Sequence, residues 1–224
     1  MGKRGPQPRG GIDTTWRPEL AYAVGLIASD GGLSKDGRHI DLTSRDRDQV
    51  RTFVTCLGLR GITVGRKRSG AGSNLYYRVQ FGDIFFYRWL NSIGIHANKS
   101  MTISELRIPR AHFFDFLRGV WDGDGSIHAY WDPRWKSSYV FCLSFTSASE
   151  VFLVWIGSQI ESHLQVSGRI TRGTRAYQLK FSKAASKRVV HAMFPDHEVP
   201  HLRRKFAKVQ KILRIDERHT ARVP

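Results

Sequence analysis

Two aspartates, Asp30 and Asp124, each close an apolar stretch and are each followed by glycine. Residues 20–31 read LAYAVGLIASDG and residues 114–125 read FDFLRGVWDGDG. Aligned on the interior glycine, Gly25 matches Gly119, Asp30 matches Asp124 and Gly31 matches Gly125, all at the same offset of 94 positions. One register kept at three positions implies a duplicated unit with a pseudo-two-fold axis. Packing of the two stretches would bring the carboxylates together near that axis. Such a pair repels, so it requires a cation, and hard oxygen donors favour Mg²⁺. An acidic pair inside a basic surface suits metal-assisted phosphodiester hydrolysis. Asp-Gly at a helix end is also ordinary turn chemistry; the shared register is what favours the catalytic reading. The DGDGS run at 122–126 does not complete a calcium loop, because Ile127 stands where the loop glycine belongs.

The stretches that must position these acids read as helices. Pro18 suits a first helical turn, after which Leu20, Val24 and Ile27 share one face while Ala21, Gly25 and Ala28 form a stripe of small side chains. A glycine inside a helix costs ~1 kcal/mol against alanine. Close backbone contact with a second helix would compensate, and Gly119 offers the matching surface.

Composition sets the partner. The 224 residues carry 36 Lys and Arg against 19 Asp and Glu, a formal net charge of +17. A field of that size attracts polyanions, with nucleic acid foremost. A hydrophobic fraction of 41% supports a sizeable core. Two cysteines, Cys56 and Cys142, are too few for a disulfide scaffold or a cysteine zinc site. There is no HExxH or Walker pattern, and no membrane span or signal peptide is expected, so the chain reads as soluble and intracellular.

The remaining elements recur in the same order in both halves. Gly31 and Gly32 read as a turn, His39–Ser44 as a half-buried strand, and Asp46 with Gln49 as the cap of a helix stopping at Gly58. Ile62–Arg68 and Leu75–Phe81 are strands, the second with Leu75, Tyr77, Val79 and Phe81 opposite Tyr76, Arg78 and Gln80. Asp83 opens a helix over Ile84–Ile93. In the second half, Ser126–Trp131 and Ser138–Phe145 are strands, Ser147 with Glu150 caps a helix over Val151–His163, and strands follow at Gly168–Thr171 and Arg175–Phe181. Helices through Val189–Met193 and Leu202–Leu213 end the chain.

One face of each alternating strand should stay open, and these faces carry groups that grip phosphate or read base edges. The candidates are Arg66, Arg68, Tyr76, Arg78 and Gln80 in the first half and Arg169, Arg172, Gln178 and Lys180 in the second. The N-terminal KRGPQPRGG run could lay Arg into a minor groove.

AVGLIASDG at 23–31 and LRGVWDGDG at 117–125, with the repeated element order, resemble the LAGLIDADG homing endonucleases in their single-chain, two-motif form. The resemblance spans roughly residues 16–215. Ala28 replaces the motif's earlier Asp in the first copy and Asp122 retains it in the second; that Asp is not the family's essential metal ligand. The resemblance implies an α+β fold of two pseudo-symmetric αββαββα subdomains, each with a four-stranded antiparallel sheet, joined through two central motif helices. Its parts would be a flexible basic N-terminus (1–15), a first subdomain (16–97), a linker (98–108), a second subdomain (109–215) and a basic C-terminal tail (216–224). It further implies that Asp30 and Asp124 bind two or three divalent ions, Mg²⁺ with Ca²⁺ or Mn²⁺ able to substitute. The sheets would saddle the major groove of a long asymmetric double-stranded DNA target, and cleavage would leave 3′ overhangs. A lysine in each half would polarise water or the scissile phosphate: Lys99 and Lys205, with Lys180 as the fallback. The protein would act as a monomer, without a protein partner or membrane. The other reading of the same scaffold is an RNA maturase or a DNA-binding protein without cleavage.

Overall fold

The computed structural model describes residues 11–68, 74–135 and 137–220. Among them the elements run α1 (Pro18–Ser29), β1 (Gly31–Leu33), β2 (His39–Ser44), α2 (Arg47–Cys56), β3 (Gly65–Arg68), β4 (Leu75–Gly82) and α3 (Ile84–Ser92). After a connector come α4 (Phe113–Asp124), β5 (Gly125–Trp131), β6 (Tyr139–Ser147), α5 (Glu150–Leu164), β7 (Arg169–Arg172), β8 (Tyr177–Lys180), α6 (Lys183–Met193) and α7 (Arg203–Thr220). The strands make two antiparallel four-stranded sheets ordered β1-β2-β4-β3 and β5-β6-β8-β7. The α+β architecture of two equivalent αββαββα units is therefore present, with α7 added at the end.

Alternation produces this arrangement. In β2, Ile40, Leu42 and Ser44 are buried, and in β6, Tyr139, Phe141, Leu143 and Phe145 are buried, each set packing beneath helices. α1 departs from simple amphipathicity, since Leu20 through Ala28 are all buried. It is enclosed because α4 lies directly against it. A Cβ on Gly25 would overlap the Phe116 carbonyl oxygen and stand 2.8 Å from the Val120 nitrogen. A Cβ on Gly119 would overlap the Tyr22 carbonyl and stand 3.0 Å from Gly25 Cα. The two helices thus meet backbone to backbone, and glycine is required at both positions.

Several expectations need correction. Gly31 and Gly32 form a strand rather than a turn, pairing with Leu42 and Asp41 of β2. β3 begins at Gly65, not Ile62, because only Gly65–Arg68 pair with β4. The cap of α5 is Ser149, which accepts from the Phe152 amide, while Ser147 accepts from Ser149. Gln49 does not complete a cap; it accepts from the Ser44 hydroxyl at 2.6 Å and donates to the Asp122 carbonyl at 3.1 Å. α6 starts at Lys183, capped by Ser182.

The expected flexible termini are also shorter. Residues 1–10, with all of the KRGPQPRGG run except its last glycine, lie outside the described residues, but the Gly11 and Ile12 amides donate to Asp83 Oδ2 at 2.9 and 3.3 Å, and Trp16 packs on Trp89. Asp83 also accepts from Phe86 N, so one carboxylate caps α3 and fastens the irregular segment that leads into α1. At the other end α7 continues through Thr220, held by buried Asp216 between Lys183 (2.5 Å) and Lys187 (3.3 Å) of α6. Residues 216–220 are therefore helix, not tail.

Candidate active site and nucleic-acid interface

Asp30 ends α1 and Asp124 ends α4, so the glycine contact between these helices carries the carboxylates to one place. Proximity is visible at Gly123, where a Cβ would clash with Ser29 and lie 3.3 Å from Asp30 Oδ2. Both acids remain accessible to solvent, yet the atoms around them displace enough water to raise their pKa values. Burial first and the Asp124 charge second push Asp30 up to about 6, opposed by Lys205 and Lys99. Asp124 is raised by burial, against the pull of the same two lysines.

The lysines occupy equivalent places. Lys99 Nζ donates to the Gly31 carbonyl at 2.5 Å and lies 3.5 Å from that of Ser29. Lys205 Nζ donates to Gly125 (2.7 Å), Gly123 (3.2 Å) and Trp121 (2.7 Å), and it sits 5.1 Å from the Trp121 ring centroid. Ser29 corresponds to Gly123 and Gly31 to Gly125, so both ammonium groups clamp the same pair of carbonyls across each motif end. They reach it from different sequence distances, 68 residues for Lys99 and Gly31 and 80 for Lys205 and Gly125. Burial lowers both amines, Lys205 to about 8. All three Lys205 N–H groups face main-chain acceptors. In this state it fixes the backbone that carries Asp124 and supplies positive charge, and its donors are not free to polarise a water.

A residue outside the candidate list completes the site. Asp122 is fully enclosed, and its Oδ2 accepts from the Leu202 amide (2.7 Å) and the Tyr22 hydroxyl (2.9 Å). Burial pushes its carboxyl up to about 6. It fastens the segment that leads into Lys205. The only sequence sign was an acid retained within an apolar helix, and the partner amide lies 80 residues away.

The acid pair fits a divalent cation by its donor chemistry. Two hard carboxylates raise each other's charging cost, are open to solvent, and meet no third ligand, since no group of three or more His, Cys, Asp or Glu suited to a metal occurs among the described residues. Further ligands would come from water or substrate phosphate, as is usual for Mg²⁺.

Cross-strand register decides which candidates share the open sheet faces. Tyr76, Arg78 and Gln80 of β4 stand opposite Lys67, Thr43 and Asp41. In the second sheet Gln178 and Lys180 of β8 stand opposite Thr171 and Arg169 of β7. Arg66 and Arg68 pair with Tyr77 and Leu75, which places them on the sheet face opposite Arg78, although all of β3 is exposed at the sheet edge, and Lys67 takes the place between them on the face of Arg78. Arg172 likewise pairs with Tyr177 and stacks over its ring at 5.9 Å. The reason is alternation in the four-residue edge strands: adjacent cations must point to opposite faces. Ser126, His128 and Tyr130 extend the open face along β5.

No protein-family model and no curated protein matches the chain. Solved structures do. Meganuclease I-SmaMI bound to uncleaveable DNA aligns at TM-score 0.58 and 13% identity, covering 89% of this chain and 90% of that one. I-DmoI in complex with DNA and Mn aligns at 0.53 and 16%, covering 80% and 98%. Full-length DUF199/WhiA from Thermatoga maritima aligns at 0.55 and 14%, covering 94% and 69%. No described helix is long and apolar enough to cross a membrane. Two glycine-bearing helices meeting at the centre, an acid at each helix end and a four-stranded sheet on either side give this chain the single-chain, two-motif LAGLIDADG fold.

Proposed function

We propose that the protein is a site-specific, divalent-metal-dependent DNA endonuclease that cuts both strands of a long asymmetric target and leaves 3′ overhangs. The fold is shared with DUF199/WhiA as well as with homing endonucleases, so the fold alone does not supply the activity. The observation that supports cleavage is the convergence of Asp30 and Asp124 from equivalent helix ends, each beside a lysine fixed on the same carbonyls. A scaffold used only to bind DNA has no need for a repelling acid pair in a +17 chain.

Asp30 and Asp124 would hold Mg²⁺, and Mn²⁺ or Ca²⁺ could occupy the same donors. When bound, divalent ions supply activation of water and charge neutralisation at the scissile phosphate. Lys99 and Lys205 hold the main chain beneath the acids and offset their charge. The open faces carrying Lys67, Tyr76, Arg78, Gln80, Arg169, Gln178 and Lys180 grip the duplex as a monomer. With Mg²⁺, a random duplex library should yield one family of double-strand cuts, read by sequencing the ends. Selective binding with no cut would instead support the binding or maturase reading.

A further inference from the structure

The two open faces are built on equivalent positions with different chemistry. Gly31 and Gly125 correspond, and the registers then make Asp41 equivalent to Ser144, Arg78 to Gln178 and Gln80 to Lys180. Only the first half contains an acid here. Arg78 Nε donates to Asp41 Oδ2 at 3.2 Å, with both side chains partly exposed on the open face. That bond uses the inner nitrogen of the guanidinium and leaves the two terminal NH₂ groups without a partner among the described residues. The fork is fixed at its base and open at its tip.

Gly32 belongs to the same device. A Cβ at this position would stand 2.7 Å from Asp41 Oδ1, so the absence of a side chain is what lets the carboxylate settle against β1. The equivalent pair in the second sheet is Ser126 and Ser144, whose hydroxyls lie 2.8 Å apart and offer no anchor for a cation.

We propose that Arg78 reads a guanine in the half-site under the first sheet, with Asp41 as its positioning residue and Gly32 as the space that Asp41 needs. This rests on the DNA-recognition part of the proposed function. Guanine offers O6 and N7 acceptors in the major groove, matched by a planar pair of NH₂ donors. A guanidinium anchored through Nε has lost the rotamer freedom that would otherwise oppose binding. Gln178, at the equivalent place, has the donor and acceptor pattern that pairs with adenine N6 and N7. The two half-sites therefore differ at corresponding base pairs, which makes the target asymmetric at a defined point.

The test is binding selection from a random duplex library, followed by comparison of the base-preference profile of each variant. The protein as it stands should show one base pair where guanine is favoured by roughly 5- to 150-fold. Arg78→Lys, which keeps the charge and removes the planar fork, should weaken that preference several-fold while the rest of the profile is retained. Arg78→Gln should move it toward adenine. Asp41→Asn and Gly32→Ala should weaken the preference with Arg78 still in place, and thermal melting confirms that each variant folds. A uniform loss of affinity over all sequences in Arg78→Lys would mark a phosphate contact and overturn the assignment. An unchanged profile in that variant would overturn it as well, leaving sequence-specific binding intact. If the unaltered protein selected no sequence at all, the proposed function would fail together with this inference.

Discussion

Gly25→Ala perturbs the feature that places both acids. The added Cβ would overlap the Phe116 carbonyl oxygen and lie 2.8 Å from Val120 N and 2.9 Å from Gly119 Cα. Carbon contacts are comfortable only from about 3.5 Å, so α1 and α4 must part by on the order of 1 Å. These are main-chain atoms and cannot rotate aside. Overpacking of this kind costs ~1–3 kcal/mol, offset by up to ~1 kcal/mol of helix propensity gained by replacing glycine. A net loss of about 1–2 kcal/mol corresponds to a fall in Tm of roughly 2–8 °C for a chain of this size. Cleavage should fall further than stability predicts, because a displacement of about 1 Å at reacting groups can cost on the order of 100-fold. Calorimetry and single-turnover cleavage well below Tm separate the two effects. A variant that melts and cuts like the parent would refute the backbone contact and, with it, the account of how the acids converge.

Asp216→Asn should destabilise the protein at neutral pH by about 1–3 kcal/mol, less than a wholly buried pair because Lys183 and Lys187 are 37% and 40% exposed. The two lysines hold the Asp216 carboxyl below its ordinary value despite burial. The stability it contributes is therefore full above about pH 4 and lost as pH falls through its lowered pKa; urea midpoints that differ equally at pH 7 and pH 2.5 would contradict this. Cys56, with its thiol pushed by burial up to about 12, should resist a thiol reagent in the native protein. Cys142, half-exposed opposite His128 on the open face, should react and be protected by target DNA; equal labelling with and without DNA would remove that face from the interface. Asp122→Ala strands the Leu202 amide and Tyr22 hydroxyl and should cost on the order of 3 kcal/mol, whereas Asp122→Asn keeps an acceptor and should lose less in the same melt.

The motif helices and β2, β4 and β6 were legible because their signals are periodic: glycine and aspartate repeat in register, and apolar residues alternate over six or more positions. Lys99 and Lys205 were singled out by the family resemblance, each after the last helix of its half; that both clamp matching carbonyls, and that Lys205 spends its donors there, had no sign in the sequence. The edge strands were not legible. RKR at 66–68 and the RITR strand have too little apolar alternation to say which cation faces out, and that was settled only by their pairing with β4 and β8. Gly31 and Gly32 looked like a turn because glycine suits one, whereas here the lack of a side chain makes room for the Ile27 backbone at Gly31 and for Asp41 at Gly32. Contacts such as Asp122 to Leu202, or Asp83 to Gly11, join residues more than 70 positions apart and leave no local trace.

The central claim is that Asp30 and Asp124 act as one metal-holding pair on DNA gripped elsewhere. Asp30→Asn and Asp124→Asn should each retain target affinity within a few-fold, since neither acid grips the duplex, and each should abolish Mg²⁺-dependent double-strand cleavage. If either variant bound the target and still cut both strands at the parental rate, the paired acids would not be the cleavage centre.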